Sequence, residues 1–512
     1  MIPIEYADIY MTNDDVLKNP YIGAEQNLAS PPKFEDIKDK LPKPVWDGHE
    51  LQIGGYYRAW ELAFSNLFPA TKENGFVSPF IDAAFSNDIF MWDTCFMLMF
   101  GRYATQIFSF QSSLDNFYCK QHKDGFICRQ IHESNGHDKF YRHDPVSTGP
   151  DILAWTELLY YQNFGDKERL SKIYYPLLAY HKWNKVYRTW PNGCYWSSGW
   201  GCGMDNLPRV SYKDYPDFEN WQIESFYHGG LTWIDANLQA TLTCRVLIEI
   251  AKELGIDYGV KELKEEYDYL TEYINRKMWN DKDKFYYDLK RDGSFSSVKT
   301  IASFWALIAK IIPDDRLDDF VAHLENEKEF KTPTRVPSLS KDHPYYDPEG
   351  SYWNGGVWAP TTYMVIRGLT ENGKDSLAYE IAKNFYDNAM LVYKSTGTFW
   401  ENYAPETANH GHPARDNFVG WSGIIPITIL IEYILGIQVN KEKNEIVWHI
   451  KETDRHGIEN LYIGDGDYIS LICEKRSRNS EKPVISVKGG KNIKIRVIYN
   501  GGEFVCGGEK NG

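Results

Sequence analysis

The sequence predicts a mainly α-helical protein that ends in a small β domain. From Gly54-Gly55 to about residue 436, apolar residues recur at spacings of three and four, the periodicity of helices that bury one face. From about residue 437 the period changes to two, as in strands. Long connections rich in Gly, Trp and Asp separate the helical stretches. We therefore expect helical hairpins arranged in a toroid, with the chemistry gathered on its loops.

The first fifty residues are expected to form an extended arm. Residues 1–50 are rich in Pro, Lys and Asp and lack periodicity. The chain does not start with the cationic and apolar segments of a secretion signal, and no window holds the roughly 18 apolar residues of a membrane span. The simplest expectation is a cytoplasmic protein that does not bind a membrane. A chain trimmed after a cleaved leader would begin in the same way.

The helical body is expected over residues 51–436. One of its stretches, 94–118, predicts a continuous helix, and Asp151 is placed to cap the start of a helix that runs to Gly165. No fixed repeat length is evident, which disfavours a helical solenoid. The clearest amphipathic stripe ends at Gly255, a predicted C-terminal cap, and consists of Leu231, Ile234, Leu238, Leu242, Val246 and Ile250.

The last segment, residues 437–512, is expected to form a β-sandwich-like domain. Its strands show alternating apolar residues, and one is followed by the turn sequence Asn500-Gly501-Gly502. We expect this domain to pack against the helical body, and carbohydrate binding is the alternative role. The alternating positions are Ile446, Trp448 and Ile450, then Ile493, Ile495, Val497 and Tyr499.

Composition excludes several function classes. The formal charge is −15, from 56 basic and 71 acidic residues, and no basic block interrupts the chain, so nucleic acid is not an expected partner. The eight cysteines show no CxxC pair or zinc spacing, and neither a metal nor a cofactor is expected. Aromatic residues reach 15%. A glycan-binding cleft would use many of them, although a helical core accounts for most of the Phe.

Asp205 is the candidate general acid. It lies in a glycine-rich stretch that allows a close approach to a ligand, and Pro208 prevents helix continuation. A general acid must keep its proton near neutral pH, which requires burial or a neighbouring carboxylate. A turn or cap role is the plain alternative for any single Asp. The aromatic and glycine-rich surroundings favour catalysis.

Glu401 is the candidate general base. It lies in Phe399-Trp400-Glu401-Asn402-Tyr403, and a base must stay ionised and hold a water against the anomeric carbon. Glu406 is the nearby alternative. An acid and a base on opposite faces of the sugar predict inversion of configuration, with the carboxyls roughly 6.5–9.5 Å apart.

The same long loops hold candidate sugar-binding residues. Flat aromatic faces can stack on a pyranose ring, and polar groups beside them can bind its hydroxyls. For any one Trp, core packing is the plain alternative. The candidates are Trp92, Asp93, Arg129, Gln130, Trp200, Trp353, Trp358 and Trp421.

At these motifs the sequence resembles the helical-barrel glycosidases of glycoside hydrolase family 63, and more distantly the family 37 trehalases. The resemblance spans about residues 90 to 425. It departs from the family at Ser197-Ser198, where many relatives carry a Glu, which leaves the substrate open. The residues that carry it are Met91-Trp92-Asp93-Thr94-Cys95-Phe96, Gly149-Pro150-Asp151, Gly203-Met204-Asp205-Asn206, Trp353-Asn354-Gly355-Gly356 and Phe399-Trp400-Glu401-Asn402-Tyr403.

The resemblance implies an (α/α)6 barrel and an inverting, exo-acting α-glycosidase that needs no cofactor. It places the family's acid on Asp205 and its base on Glu401, and it places sugar contacts of the first subsite on Trp92, Asp93 and Trp353. Arg129 and Gln130 are implied as further contacts. Family members cleave α-glucosides, and some act on mannosyl- or glucosyl-glycerate.

The expected function is therefore hydrolysis of a short oligosaccharide or glycoside, with an α-glucoside as the leading substrate. A glycoside phosphorylase and a non-catalytic sugar-binding barrel are the alternatives. A requirement for phosphate would identify the first, and sugar binding without hydrolysis would identify the second. The sequence does not indicate an oligomeric state.

Overall fold

The computed structural model describes residues 12–210 and 227–507. The predicted fold class is confirmed, since the helices form an (α/α)6 barrel and a β region follows them. Parts of three predicted segments lie outside the described residues: 1–11 of the arm, 211–226 of a long loop, and 508–512 of the β domain. In the described part of the chain, no helix has the length and apolarity that crossing a membrane requires.

The helices that follow one another along the chain alternate between the outer and inner layers of the barrel. A run of π-helix, Ile425–Ile434, completes the inner layer. The α-helices are α1 (Phe34–Ile37), α2 (Glu50–Ser65), α3 (Met91–Gly101), α4 (Asp115–Tyr118), α5 (Leu153–Phe164), α6 (Lys167–Tyr187), α7 (Ile234–Leu254), α8 (Val260–Tyr273), α9 (Trp305–Ala309), α10 (Asp314–Val321), α11 (Ala359–Glu371) and α12 (Asp375–Thr396).

The inner layer is a closed ring. Helix α3 contacts α5, α5 contacts α7, α7 contacts α9, and α9 contacts α11. The segment from Ser422 to Ile434 contacts both α11 and α3, which closes the ring. Every residue of α3 and of the π-helical run is buried, because helices that are apolar on all sides belong in the interior.

The long loops lead from each outer helix to the next inner helix. They therefore meet at the end of the barrel where the inner helices begin. The connections from inner to outer helices are short. The helix pair α5 and α6, for example, is joined through Gly165 in the left-handed region (φ 71°) and the N-cap Asp166. The loop-bearing end is consequently the place for a site.

In the described part of the chain, strands form two four-stranded sheets and three short two-stranded sheets. The sheet orders are β1-β10-β11-β12 and β14-β13-β9-β8, and β13 pairs with β9 in parallel. The strands are β1 (Lys43–Trp46), β2 (Leu67–Phe68), β3 (Phe80–Ile81), β4 (Asp88–Phe90), β5 (Gln130–His132), β6 (Trp279–Asn280), β7 (Phe285–Tyr286), β8 (Ile437–Asn440), β9 (Glu445–Ile450), β10 (His456–Tyr462), β11 (Tyr468–Cys473), β12 (Ile485–Gly489), β13 (Lys494–Tyr499) and β14 (Gly502–Cys506).

The arm contributes to the C-terminal sheets. Strand β1, from the predicted arm, pairs antiparallel with β10, and Trp46 lies opposite His456. The arm and the β domain are thus joined by main-chain hydrogen bonds. The boundaries 1–50, 51–436 and 437–512 stay a prediction.

Two local predictions were wrong and one was confirmed. The stretch 94–118 is not one helix, because α3 ends at Gly101 and only short turns of helix follow. A Cβ at Gly101 would lie 2.7 Å from the Phe110 ring, so the chain folds back tightly there. Asp151 does not cap α5, which begins at Leu153 without a side-chain cap. Gly255 does end α7 in the left-handed region, at φ 67°.

Candidate active site

A cavity of about 350 Å³ opens at the loop-bearing end of the barrel. It brings together Asp205 and Glu401, which are almost two hundred residues apart in the sequence. Its volume lies within the range of small-molecule sites. The residues that line it are Phe85, Phe90, Trp92, Asp93, Arg129, Gln130, Pro150, Trp200, Gly203, Asp205, Tyr352, Trp353, Glu401, Arg415 and Trp421.

The surroundings of Asp205 set the protonation of its carboxyl group. The pKa of Asp205 is raised to about 6, mainly by desolvation and also by the nearby charge of Glu401. Arg129 and Arg415 oppose the rise. Asp205 therefore holds its proton to a higher pH than an exposed Asp would.

Contacts of two residues, Asn206 and Arg209, fix this loop. The amide of Asn206 donates to the carbonyl of Ser351 (2.9 Å) and accepts from the N–H of Trp353 (2.8 Å). At the end of the same segment, Arg209 forms ion pairs with Asp235 and Asp288 (2.7 and 2.6 Å) in a fully buried position. The Asp205 loop is thus tied both to the opposite loop and to the start of α7.

Gly203 allows this loop to lie against an aromatic wall of the cavity. Its φ is +75°, and an added Cβ would lie 3.1 Å from the indole ring of Trp92. Glycine is therefore favoured here for two reasons: the backbone has a left-handed conformation, and a side chain would crowd the Trp92 ring. Trp92 itself lies in the first turn of α3, next to Asp93.

Glu401 is buried and held through both carboxylate oxygens. The hydroxyl of Tyr352 donates to Oε1 (3.2 Å), the guanidinium of Arg415 donates to the same oxygen, and the N–H of Arg415 donates to Oε2 (3.2 Å). The pKa of Glu401 is raised above its usual value by burial, and the charge of Arg415 opposes this rise. The indole N–H of Trp421 donates to the backbone carbonyl of Glu401 (2.8 Å).

Arg415 lies on the cavity wall, and its side chain is 48% exposed. Its guanidinium stacks over Phe85 at 4.6 Å from the ring centroid. Phe85 in turn stacks on Phe90 and Phe418. An aromatic shelf therefore supports the cation that pairs with Glu401.

The backbone before Trp353 is strained. Ser351 and Tyr352 have positive φ values of 35° and 64°, which are unfavourable for residues with a side chain. This conformation directs the Tyr352 hydroxyl to Glu401 and exposes the main chain of the loop to Asn206. Strain of this kind persists where surrounding contacts hold it, and here both contacts belong to the cavity.

Three further polar residues line the cavity beside Asp205. Arg129 donates from Nε to the carbonyl of Val146 (2.6 Å), and Gln130 donates to Asp88 (2.8 Å). Asp93 is 5% exposed, and its Oδ1 has no hydrogen-bond partner among the described residues. Burial raises the pKa of Asp93 well above its usual value. A ligand hydroxyl would supply the missing partner.

Trp358 differs in position from the other predicted binding residues. It is fully buried and does not line the cavity among the described residues. Instead its ring stacks on Trp353, with centroids 4.0 Å apart and planes 2° from parallel. Trp358 supports the wall of the cavity, whereas Trp353 forms part of that wall.

Glu406, the alternative base, lies elsewhere. It accepts a hydrogen bond from Tyr346 (2.8 Å) and pairs with Lys341 (2.7 Å). Among the described residues that line the cavity, Glu401 is present and Glu406 is not.

Sequence reasoning missed Arg415, Asn206 and Phe85. Arg415 is a single cation in a loop that contains no recognisable motif. Its partner, Glu401, lies 14 residues earlier in the sequence. Asn206 was part of the acid motif, but its partners are about 145 residues away. The glycine-rich loop indicated that a close contact was possible, but not which atoms would make it.

Comparison with known proteins identifies the family. The family model described as the mannosylglycerate hydrolase MGH1-like glycoside hydrolase domain matches residues 87–422. The chain belongs to this glycoside hydrolase family. The match covers all of the residues that line the cavity except Phe85, and it confirms the resemblance to glycoside hydrolase family 63.

Relatives and solved structures agree with this family. A probable mannosyl-oligosaccharide glucosidase of Schizosaccharomyces pombe is 22% identical over 284 residues, which are 50% of this chain and 34% of the relative. An uncharacterized protein of Borreliella burgdorferi is 27% identical over 405 residues, which are 77% of this chain and 81% of the relative. The chain thus spans about a third of the length of the glucosidase.

The barrel of this glycoside hydrolase matches solved enzymes. The mannosylglycerate hydrolase of Thermus thermophilus in complex with glucose superimposes with a TM-score of 0.57 at 21% identity, covering 73% of this chain and 99% of that one. The neutral trehalase Nth1 of Saccharomyces cerevisiae gives a TM-score of 0.51 at 15% identity, covering 69% and 73%. At these identities the likeness concerns the fold.

Proposed function

We propose that this glycoside hydrolase is an inverting, exo-acting α-glycosidase, with Asp205 as general acid and Glu401 as general base. The observation that carries the proposal is that both carboxyl groups line one cavity in different electrostatic surroundings. Asp205 has a pKa of about 6, and Glu401 is paired with a cation. One group that holds a proton and one that stays ionised are what glycoside hydrolysis requires.

The proposed reaction is a single displacement. Glu401 accepts a proton from a water molecule, and the water oxygen forms a bond to the anomeric carbon as the bond to the leaving oxygen breaks. Asp205 gives its proton to that leaving oxygen. The products are a free sugar of inverted configuration and an alcohol, and the two carboxyl groups recover their starting states through solvent.

The walls suit a pyranose ring. Trp92, Trp353 and Trp421 offer flat apolar faces, while Asp93, Arg129 and Gln130 offer polar groups at the rim of those faces. The unpartnered Oδ1 of Asp93 is the strongest of these candidates, because a buried oxygen without a hydrogen bond is unfavourable until a ligand supplies one. We assign Trp200 to the same wall and Trp358 to support behind Trp353.

An α-glucoside is the leading substrate. Named relatives include mannosyl-oligosaccharide glucosidases and periplasmic trehalases, and one matching structure contains glucose. A cavity of about 350 Å³ suits a terminal sugar with a short aglycone, and it is small for a polymer. Both points favour a short oligosaccharide or glycoside attacked at its end.

A glycoside with an acidic aglycone is the second candidate. The family description refers to mannosylglycerate, and one matching structure holds D-glycerate. Arg415 favours this candidate, because its half-exposed guanidinium faces the cavity and has the geometry for a bidentate pair with a carboxylate.

The proposal is tested with purified enzyme on α-glucosides, trehalose, α-mannosides and glycerate conjugates, with detection of released sugar. Proton NMR at early times identifies the first anomer formed. Release of the β anomer from an α-linked substrate is the expected result, without a need for phosphate. Release of the α anomer from a substrate other than trehalose would overturn the inverting mechanism, because the leaving glucose of trehalose keeps its α configuration in either mechanism. A strict phosphate requirement would indicate a phosphorylase.

A further inference from the structure

A second group of chemically reactive side chains lies inside the barrel wall, away from Asp205 and Glu401. His181 on α6, Cys244 on α7 and Glu266 on α8 are all buried. The Nε2 of His181 lies 3.4 Å from the Sγ of Cys244 and 3.3 Å from a carboxylate oxygen of Glu266. All three potential ligand atoms lie within 4.8 Å of one another. Three successive helices thus meet at one point through a nitrogen, a sulfur and an oxygen.

The imidazole of His181 is poorly satisfied by these neighbours alone. It is 1% exposed, and its Nδ1 has no hydrogen-bond partner among the described residues. At 3.3 Å, the contact of Nε2 with Glu266 is long for a hydrogen bond between an imidazole and a carboxylate. The two distances from Nε2, to the sulfur and to the carboxylate oxygen, match a different arrangement. Ligand atoms about 2.0–2.3 Å from a tetrahedral zinc ion lie about 3.3–3.8 Å from one another.

We propose that His181, Cys244 and Glu266 supply three of the four ligands of a tetrahedral zinc ion that joins helices α6, α7 and α8, with a water molecule as the fourth. Nitrogen, thiolate and carboxylate are the ligands that zinc takes in proteins. The ligands lie on separate helices, so no short-spaced motif marks them in the sequence.

The surroundings of the cluster support a metal site. Asp151 lies 3.6 Å from the Nδ1 of His181, on the side of the ring that faces away from the other ligands. The hydroxyl of Tyr195 donates to the second oxygen of Glu266 (2.6 Å). Metal-binding histidines commonly pair their free nitrogen with a carboxylate, and metal-binding carboxylates are oriented by hydrogen bonds. The hydrogen bond from Tyr195 is in place here, and the Asp151 carboxylate lies just beyond hydrogen-bond distance of Nδ1.

Lys185 is the competitor for the site. Its ammonium group lies 2.8 Å from the Glu266 oxygen that faces His181. Its side chain is 48% exposed, so it can turn to solvent when a metal takes that oxygen.

The site would support the active-site wall from behind. Asp151 belongs to the turn that contains Pro150, and Pro150 lines the catalytic cavity. The backbone carbonyl of Asp151 also accepts a hydrogen bond from Thr243, the residue before Cys244. A metal held by α6, α7 and α8 would therefore stabilise the barrel and fix this turn.

The test is metal analysis of the full chain expressed in zinc-supplemented medium and purified without a metal-affinity step. We expect one zinc ion per chain by mass spectrometry of the acid-digested protein. Cys244→Ala and His181→Gln should lose it, whereas the matched control Cys473→Ala, which removes an equally buried thiol from strand β11, should retain it. Lys185→Met should keep or increase the zinc content, because it removes the competitor.

Cobalt provides a second readout, in which the spectrum of the wild-type protein by itself reports a thiolate ligand. Protein expressed with cobalt should show a sulfur-to-cobalt charge-transfer band that Cys244→Ala loses and Cys473→Ala keeps. Wild-type protein with neither stoichiometric zinc nor that band would overturn the proposal. A metal content that Cys244→Ala leaves unchanged would overturn it as well.

Discussion

The side-chain oxygen of Asn206 accepts a hydrogen bond from the backbone N–H of Trp353 at 2.8 Å. This contact joins the residue after Asp205 to the loop that carries Tyr352, and Tyr352 in turn contacts Glu401 (3.2 Å). The acid and the base are thereby connected through one short chain of contacts. Their relative position depends on Asn206, which itself has no part in the proposed chemistry.

Asn206→Ala should lower kcat/KM by about tenfold, because small displacements of catalytic groups are costly. The loss of two hydrogen bonds should lower the free energy of unfolding by about 1–2 kcal/mol. Asn388→Ala is the matched control, since the Asn388 side chain also makes two hydrogen bonds, both as donor to carbonyl groups (3.1 and 2.9 Å), but on α12. If both variants lose stability equally and both keep full activity, the contact does not position the catalytic groups.

Gly203→Ala should impair catalysis beyond its effect on stability. The new methyl group would lie 3.1 Å from Trp92 in a left-handed backbone, so either the loop or the indole must move. Gly255→Ala is the control, because its φ is similar (+67°) but its Cβ would meet nothing within 4 Å. Both variants should lose about 1 kcal/mol in denaturant unfolding. Only Gly203→Ala should raise KM and lower kcat, and equal kinetics would contradict this role for Gly203.

Arg415→Ala should move the acid limb of the pH–rate profile to higher pH. The charge of Arg415 lowers the pKa of Glu401, so its removal leaves the base protonated over a wider range. Arg415→Lys keeps a charge and should shift the limb less. Arg276→Ala, which removes an exposed arginine paired with Glu272 (3.4 Å), should leave the profile unchanged. An unshifted acid limb in Arg415→Ala would show that this ion pair does not set the ionisation of the base.

The pH dependence of kcat/KM for the wild-type enzyme should be bell-shaped. The pKa of Asp205 is about 6, so the fraction of enzyme with a protonated acid falls as the pH rises through that value. Activity should therefore decline by up to tenfold per pH unit on the basic limb, while protonation of Glu401 produces the acid limb. Because the two groups interact, the limbs report the pair together. A rate that stays constant from pH 6 to pH 9, with chemistry limiting, would contradict an acid role for Asp205.

The fold class could be predicted because periodicity directly reports burial. The stripe residues that fall within α7, from Ile234 to Ile250, are all buried, and the change of period near residue 437 coincides with the start of β8. Continuous apolarity was less informative. The sequence of residues 94–118 does not indicate that the helix ends at Gly101. The chain folds back there because Gly101 packs against the ring of Phe110.

The site could be predicted as a set of loops, but not as a set of contacts. Trp92, Arg129, Trp353 and Glu401 stood out by residue type within long loops, and the structure places all of them at one cavity. The partners that set their charge and position did not stand out. Arg415 is a single cation whose role depends on a turn of the chain. The contacts of Asn206 join segments whose proximity only the closed barrel creates.

The most direct test of the account compares Asp205→Asn with Glu401→Gln on two substrates that share one sugar. One is an α-glucoside with an alcohol leaving group, whose oxygen needs a proton. The other is α-glucosyl fluoride, whose fluoride leaves with little help from an acid. If Asp205 is the acid and Glu401 the base, Asp205→Asn no longer hydrolyses the glucoside but still hydrolyses the fluoride. Glu401→Gln hydrolyses neither substrate. Full hydrolysis of the glucoside by Asp205→Asn, or of the fluoride by Glu401→Gln, would contradict the assignment.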